Sequence, residues 1–284
     1  MKTAYCKGDS LLAEISGHHN EGNDFGIWWL GQSGFLVKWQ GHQLLFDPYL
    51  SDSLTVKYAE TEKPHTRMTE RVLEPGQLTG LTVMTSSHNH TDHLDADTLV
   101  PLHEANRGIP LVIPAANIEF ATKRLAASVP EMIGLDDQTT ATVGPFEFHG
   151  IAAAHNEVDR DAKGRCHYLA LAVNFGPWTV FHSGDTLWHD FLTERMLPFR
   201  PHVAILPING NKPERKVSGN LNGTEAAALG KAVNAGCVIP HHFDMFTFNT
   251  ETPEEFEQAC RRVGQCHRVL GNGERFCSSS LEVG

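Results

Sequence analysis

The sequence predicts one domain of the α+β class. Short apolar runs typical of strands dominate the first half, and such runs alternate with helical patterns in the second. No Pro/Ser-rich linker and no repeat of fixed period divides the chain. The 284 residues, 40% of them hydrophobic, suffice for one large core. We therefore predict a single domain over residues 1–284, with 1–22 as an N-terminal extension and 278–284 as a frayed tail.

The first half predicts a short helix followed by a β-meander and one further strand. Turn residues at 31–34 and 40–41 separate the strand-like runs. Residues 49–80 are mixed and polar, and a loop of this length is usually functional or mobile, although a solvated connector is an equal alternative. The predicted helix lies within 8–22, and the predicted strands cover 27–30, 35–39, 43–47 and 81–84.

Helices and strands alternate after residue 95. Acidic residues at Asp95 and Asp97 favour a helix start, and Pro253 followed by two glutamates indicates another. The predicted helices cover 95–106, 115–127, 194–197, 222–234 and 253–263. The predicted strands cover 111–113, 139–143, 146–153, 168–173, 179–182, 202–206 and 237–239.

The most informative stretch is 88–93, which reads H-x-H-x-D-H directly after a predicted strand. On an extended segment His88 and His90 point the same way and can hold one metal ion. The chain turns at Thr91, so Asp92 and His93 can face a second ion. These ligands suit zinc, manganese or iron. The alternative is a polar loop that happens to be histidine-rich, but 17 histidines in 284 residues make this spacing rare by chance.

Two ions need more than four ligands, and the remaining candidates lie where predicted strands end. His155, Asp185 and the pair His241–His242 each follow an apolar run. Alone, each is more often a turn residue. Together with residues 88–93 they supply three histidines for one ion and an Asp–His pair for the other. Asp185 is suited to bridge the ions because a carboxylate has two oxygens, whereas periodicity leaves His241 and His242 undecided.

A two-ion centre predicts hydrolysis of an ester, lactone or phosphodiester. A water shared by two metals has its pKa lowered toward neutrality and becomes a hydroxide nucleophile, so no protein nucleophile is needed. Ser33 lies outside the G-x-S-x-G nucleophile pattern. Asp47 is either a turn former or a carboxylate that braces the metal loop. Three polar residues in the loop after a predicted strand either bind a phosphate or carboxylate or are simply solvated, namely Asn209, Lys212 and Arg215.

Composition excludes several classes of protein. The formal charge of -11 argues against a nucleic-acid surface. The sequence contains no run of 18 apolar residues, so it predicts no membrane span. Its first residues lack a signal peptide's apolar region. Six scattered cysteines without a C-x-x-C motif indicate reduced thiols and a cytoplasmic location.

Several motifs together resemble the metallo-β-lactamase superfamily. These are His88-x-His90-x-Asp92-His93, His155, Gly184-Asp185-Thr186 and Pro240-His241-His242-Phe243. A second group is similar to the L-ascorbate 6-phosphate lactonase-like branch. It comprises Trp28-Trp29-Leu30-Gly31, Asp47-Pro48, Pro207-Ile208-Asn209-Gly210 and Pro240 to Phe246.

The resemblance implies a four-layer αββα sandwich with a metal site at one edge of the two sheets. It places Asp185 between the ions and gives Asp92 a further role, in steering the attacking water or protonating the leaving group. The branch implies one or two manganese or zinc ions per chain, with iron less favoured, and a cytoplasmic homo-oligomer. The implied ligands are His88, His90 and His155 on the first ion and Asp92, His93 and His242 on the second.

The sequence thus predicts a metal-dependent hydrolase of a small, anionic lactone or ester. One alternative is a phosphodiesterase acting on a small or lipid phosphodiester, which a chromogenic phosphodiester would reveal. Another is an iron-dependent oxidoreductase on the same ligands, which stoichiometric iron and oxygen uptake would reveal. A non-catalytic metal-binding protein is disfavoured because all seven ligands are present.

Overall fold

Two mixed β-sheets form the centre of the computed structural model, which describes residues 1–18, 22–126 and 128–281. The strands of the first sheet are β1 (Phe25–Gly31), β2 (Gly34–Trp39), β3 (His42–Phe46), β4 (Val83–Thr85), β5 (Leu111–Pro114), β6 (Met132–Leu135) and β13 (Arg275–Cys277). Their order is β13-β1-β2-β3-β4-β5-β6. The pairs from β13 to β3 are antiparallel and those from β3 to β6 are parallel.

The second sheet has six strands. They are β7 (Thr140–Val143), β8 (Phe146–Ala152), β9 (Leu169–Phe175), β10 (Trp178–His182), β11 (Val203–Pro207) and β12 (Cys237–His241), in the order β12-β11-β10-β9-β8-β7. The pairs among β7, β8, β9 and β10 are antiparallel, and those among β10, β11 and β12 are parallel. Strands β8, β10, β11 and β12 therefore run in the same direction.

The first sheet is buried on both faces because apolar residues occupy both sides of its strands. In β1, Ile27 and Trp29 enter the core between the sheets, whereas Trp28 and Leu30 enter a second core on the outer face. Alternate residues of a strand point to opposite faces, so one apolar run serves both cores. Burial of each such side chain contributes about 1.5–3 kcal/mol.

Helices cover the outer face of each sheet and give four layers. Leu11 of α1 (Gly8–Gly17) and Leu99 of α3 (Ala96–Ala105) belong to the outer core of the first sheet. Leu229 of α6 (Gly223–Ala232) and Phe256 of α7 (Glu254–Val263) join the core of the second. The α+β sandwich predicted above is confirmed. The helices are α1 (Gly8–Gly17), α2 (Ser53–Lys57), α3 (Ala96–Ala105), α4 (Ile118–Arg124), α5 (Leu192–Met196), α6 (Gly223–Ala232) and α7 (Glu254–Val263).

The prediction missed β6 and β13, and it began the frayed C-terminal tail at residue 278, which is too early. β6 has mostly half-exposed residues, and β13 is only three residues long, so neither leaves an apolar pattern. The first residue of the predicted tail is packed, since Ser278 is buried and its hydroxyl accepts a hydrogen bond from the Phe25 N–H at 2.8 Å, whereas residues 279–280 are exposed. Residues 282–284 lie outside the described residues. Among the described residues, no helix has the length and apolar character that a bilayer crossing requires.

Candidate metal centre

The strand directions bring the predicted ligands to one edge of the sandwich. His88 and its neighbours follow β4, His155 follows β8, Asp185 follows β10 and His242 follows β12. Because β8, β10 and β12 run in the same direction, their carboxyl ends meet at one edge of the second sheet. The loop after β4 reaches this edge from the first sheet, and the Leu169 N–H donates to the Ser87 carbonyl at 3.0 Å.

The first ligand cluster consists of His88, His90 and His155. Each offers one ring nitrogen, and the three nitrogens lie within 4.8 Å of one another. The ring centroids of His88 and His90 are 4.7 Å apart, and those of His90 and His155 are 5.1 Å apart. Three convergent imidazoles at this spacing fit one divalent ion.

The second cluster consists of Asp92, His93 and His242, whose ligand atoms also lie within 4.8 Å of one another. Asp185 lies between the clusters: its Oδ1 is 3.4 Å from His93 Nε2, and its Oδ2 is 3.3 Å from His242 Nε2. The same Oδ2 is 3.6 Å from His155 Nε2 in the first cluster. The structure therefore brings together all seven residues that the sequence suggested as ligands.

The donor atoms fit a metal because several are buried without a protein partner. His88 Nε2, His93 Nε2 and Asp185 Oδ1 have no hydrogen-bond partner among the described residues. A buried polar atom left unpaired costs about 1–3 kcal/mol, and native proteins avoid this cost. Bound cations would satisfy these three atoms.

The pKa shifts of the clustered histidines also fit a site for cations. Burial lowers the pKa of His90 to about 4, with help from His155, so this imidazole is neutral and ready to bind a metal. Burial also lowers the pKa of His242, but the carboxylates of Asp185 and Asp92 together outweigh it and raise that pKa to about 9. In His93 the carboxylates of Asp185 and Asp92 likewise outweigh burial and hold its pKa well above the usual value. The carboxylates around His93 and His242 therefore favour positive charge at this site, which bound cations would supply.

Asp47 braces the metal loop from behind. This carboxylate is fully buried, and its Oδ2 is 2.8 Å from His93 Nδ1, which leaves His93 Nε2 facing the centre. It also accepts hydrogen bonds from the Thr85 hydroxyl at 2.8 Å and the Ser87 N–H at 3.0 Å. Of the two interpretations of Asp47, the structure supports the bracing carboxylate. His155 is oriented in a similar way, with its Nδ1 2.8 Å from the Gly219 carbonyl.

The structure distinguishes His242 from His241. The His242 ring lies in the second cluster, whereas both ring nitrogens of His241 face buried hydroxyls. His241 Nδ1 is 3.0 Å from the Ser33 hydroxyl, and Nε2 is 3.3 Å from the Ser183 hydroxyl. His241 also stacks on His182, with ring centroids 5.2 Å apart. His241 is therefore a core residue beneath the metal centre.

Gln32 is a residue of the site that the sequence interpretation did not assign. It is buried at the turn between β1 and β2, and its side-chain amide donates to Asp92 Oδ2 at 2.9 Å. The same nitrogen is 3.0 Å from His242 Nε2. The Trp29 indole N–H donates to the Gln32 carbonyl at 3.0 Å and fixes the turn. In the sequence Gln32 lies beside Ser33 in the predicted turn at 31–34, where polar residues are common, so nothing marked it as part of the site.

A cavity of about 430 Å³ opens directly above the ligands. Its floor includes His90, Asp92, His155, Asp185 and His242. Its walls come from residues 54–65, from the metal loop, from Phe120 and Arg124 of α4, and from residues 217–218 and 246–249. A volume of this size suits a small molecule.

The predicted substrate-binding loop lies elsewhere. Asn209, Lys212 and Arg215 are absent from the described residues that line the cavity. Lys212 and Arg215 both pair with Glu251, and Asn209 is completely buried. The Arg215 guanidinium also donates to the Asn209 carbonyl at 2.6 Å. These contacts hold the three residues within the loop, and the lining of the cavity does not support the predicted grip on substrate, which stays a prediction.

A sandwich of two mixed sheets with a histidine and carboxylate centre at one edge defines the class of metal-dependent hydrolases that share the metallo-β-lactamase fold. The family model described as "Beta-lactamase superfamily domain" matches residues 26–242, and the chain belongs to this superfamily. The matched segment contains all seven candidate ligands.

Relatives and solved structures agree with this assignment. A "UPF0173 metal-dependent hydrolase" from Rubrobacter xylanophilus is 27% identical over 244 residues, covering 84% of this chain and 89% of that protein. "Probable L-ascorbate-6-phosphate lactonase UlaG" from Escherichia coli is 22% identical over 282 residues, covering 87% of this chain and 77% of that protein. The fold is shared with a metallo hydrolase from Ignicoccus hospitalis, with a TM-score of 0.65, 20% identity and coverage of 89% and 98%.

Proposed function

We propose that the protein opens a small, anionic lactone or ester at a zinc or manganese centre. The observation that carries this proposal is the cavity of about 430 Å³ whose floor is made of the candidate ligands. The lactonase relative supports the choice of bond, because the match extends over 87% of this chain.

The chain would hold two ions and leave them accessible from the cavity. Ions of this kind, when bound, lower the pKa of water toward neutrality and polarise a carbonyl oxygen. Asp185 would lie between them because its Oδ2 is 3.3 Å from His242 Nε2 of the second cluster and 3.6 Å from His155 Nε2 of the first. His88, His90 and His155 would hold the first ion, and Asp92, His93 and His242 the second.

Asp92 is the carboxylate best placed to move a proton. It lines the cavity, and the Gln32 amide holds its Oδ2 at 2.9 Å. In the proposed reaction, water adds to the acyl carbon and the ester C–O bond breaks. Asp92 takes a proton from the attacking water and delivers it to the alkoxide oxygen that leaves, so the product is a hydroxy acid or an acid and an alcohol.

A serine nucleophile is disfavoured by the position of Ser33. Its hydroxyl is 3.0 Å from His241 Nδ1, as in a serine–histidine pair, but both side chains are completely buried. Neither is among the described residues that line the cavity. A substrate held over the metal ligands would not reach this hydroxyl.

A substrate panel with metal removal tests the proposal. We expect turnover of at least one anionic lactone or ester by zinc- or manganese-loaded protein, at rates above those on a chromogenic phosphodiester. Chelation should abolish that turnover and added metal should restore it, because the ligands alone cannot activate water. As a control, Ser33→Ala should retain turnover. Hydrolysis that survives complete metal removal, or faster cleavage of the phosphodiester, would contradict the proposal.

A further inference from the structure

One wall of the cavity is formed by residues 53–66, which we call the strap. It contributes Leu54, Lys57, Tyr58, Lys63 and His65 to the described lining of the cavity. The strap thus supplies two cations and two aromatic rings to a space whose floor is the metal centre. Glu60 and Glu62 balance the charge of the two lysines within the strap, but neither glutamate is among the described residues that line the cavity, so the strap contributes only positive charge to the lining.

The strap is anchored, so its side chains have defined positions. The Thr55 hydroxyl donates to the His65 carbonyl at 2.6 Å and joins the two arms of the strap. Just beyond its ends, the buried Arg67 guanidinium pairs with Asp52 at 2.5 Å. The Thr247 N–H donates to the Thr66 carbonyl at 2.9 Å and ties the strap to the neighbouring segment 246–249. A wall anchored at these points is pre-organised for binding.

The two lysines of the strap have no acidic partner. Lys57 Nζ is 3.4 Å from the Thr91 hydroxyl in the metal loop, and Lys63 Nζ donates to the Lys216 carbonyl at 2.5 Å. Neither lysine forms an ion pair with a carboxylate of the described residues, unlike Lys212, whose charge Glu251 balances. The carboxylates lining the cavity, Asp92 and Asp185, are metal ligands and would be neutralised by bound ions. The strap lysines are therefore available to an anion.

Beside the lysines lies an aromatic wall made of Tyr58, His65, Phe246 and Phe248. The His65 ring centroid is 4.5 Å from that of Tyr58, 5.3 Å from that of Phe246 and 5.2 Å from that of Phe248. All four residues line the cavity. Such a surface favours a flat or apolar group over a fully hydroxylated one.

We propose that Lys57 and Lys63 bind the anionic group of the substrate, a carboxylate or a phosphate, while the aromatic wall binds its flat portion. The substrate class is then a ring-bearing, monoanionic or dianionic ester or lactone, with the reacting bond over the metal ligands. The nature of the reacting bond rests on the proposed function. The binding of the anion and the ring does not depend on which bond reacts, so the proposed binding site and the proposed function can fail separately.

Calorimetric titration of the metal-loaded protein with three ring compounds tests the proposal. Benzamide is neutral, benzoate carries a carboxylate and phenylphosphonate carries a phosphonate, which is not hydrolysed. We expect one or both anions to bind about tenfold more tightly than benzamide, since two half-exposed ion pairs contribute roughly this much. The tighter of the two anions identifies the preferred group. Higher salt should reduce the preference.

Variants separate the lysines from the metal ions as the source of that preference. Lys57→Met/Lys63→Met should abolish the preference for anions while leaving benzamide binding unchanged. Phe248→Ala should weaken the binding of all three compounds to the same extent. The matched control is Lys212→Met, because Lys212 lies off the cavity and pairs with Glu251. This variant should bind the three compounds as the unaltered protein does. Equal binding of the three compounds by the unaltered protein, or an undiminished preference in the double variant, would overturn the proposal. Intact binding without any ester or lactone turnover would instead count against the proposed function.

Discussion

Asp185→Ala will leave the protein folded but remove its hydrolytic activity and at least one bound ion. Asp185 faces both clusters, at 3.4 Å from His93 Nε2, 3.3 Å from His242 Nε2 and 3.6 Å from His155 Nε2. Even residues that only orient a metal ligand contribute about 10–100-fold to affinity or activity, so a shared ligand should cost at least about 100-fold. The measurements are elemental analysis after dialysis and turnover of the best lactone or ester.

The control for this variant is Asp190→Ala, which removes an exposed carboxylate five residues further along the chain. It should keep both the metal content and the turnover of the unaltered protein. His90→Ala should resemble Asp185→Ala in activity, since it removes a ligand of the first ion. Full turnover in both His90→Ala and Asp185→Ala would refute the ligand assignment.

Asp47→Ala will destabilise the protein and weaken its metal binding together. Asp47 is completely buried and accepts hydrogen bonds from the Thr85 hydroxyl and the Ser87 N–H, besides its contact with His93 Nδ1 at 2.8 Å. Removing one member of such a buried network costs about 3–5 kcal/mol because its partners remain buried without an acceptor. We expect the midpoint of thermal unfolding to fall by roughly 5–15 °C, and metal affinity to fall about 10–100-fold.

Asp47→Asn is the matched variant for this prediction. Asparagine keeps the size of the side chain and tolerates the positive φ of 36° at this position, which alanine does not favour. It keeps one acceptor oxygen, so its loss of stability should lie between those of the unaltered protein and Asp47→Ala. An Asp47→Ala protein with an unchanged unfolding midpoint and unchanged metal affinity would show that Asp47 is only a turn residue.

The metal ligands could be predicted from the sequence because they follow from local rules. The H-x-H-x-D-H stretch is so short that its side chains stay close together. Residues 87–90 form bends and 91–93 a turn, in place of the extended segment that the sequence predicts for His88 and His90. His155, Asp185 and His242 each follow a strand that apolar residues define, and the parallel direction of those strands brings the three together. Periodicity could not choose between His241 and His242, and only the family resemblance favoured His242. The packed core gives the physical reason, because the Ser33 and Ser183 hydroxyls occupy the ring nitrogens of His241.

Features that depend on contacts far apart in the chain could not be predicted. In the sequence Lys212 and Arg215 resemble an anion site, but in the structure both form ion pairs with Glu251, which lies 36 residues beyond Arg215. The strap lysines lie in a stretch without periodicity, so only the fold shows that they line the cavity. β13 forms because residues 275–277 pair with β1, which lies near the opposite end of the sequence.

The central claim is that seven side chains between residues 88 and 242 converge to hold a pair of cations. Anomalous diffraction from crystals of zinc-loaded protein, recorded at the zinc edge, tests it most directly. The structure predicts two peaks, one bounded by His88, His90 and His155 and the other by Asp92, His93 and His242, with Asp185 between them. A zinc-loaded crystal with no peak among these residues, or with zinc bound only elsewhere, would contradict the claim.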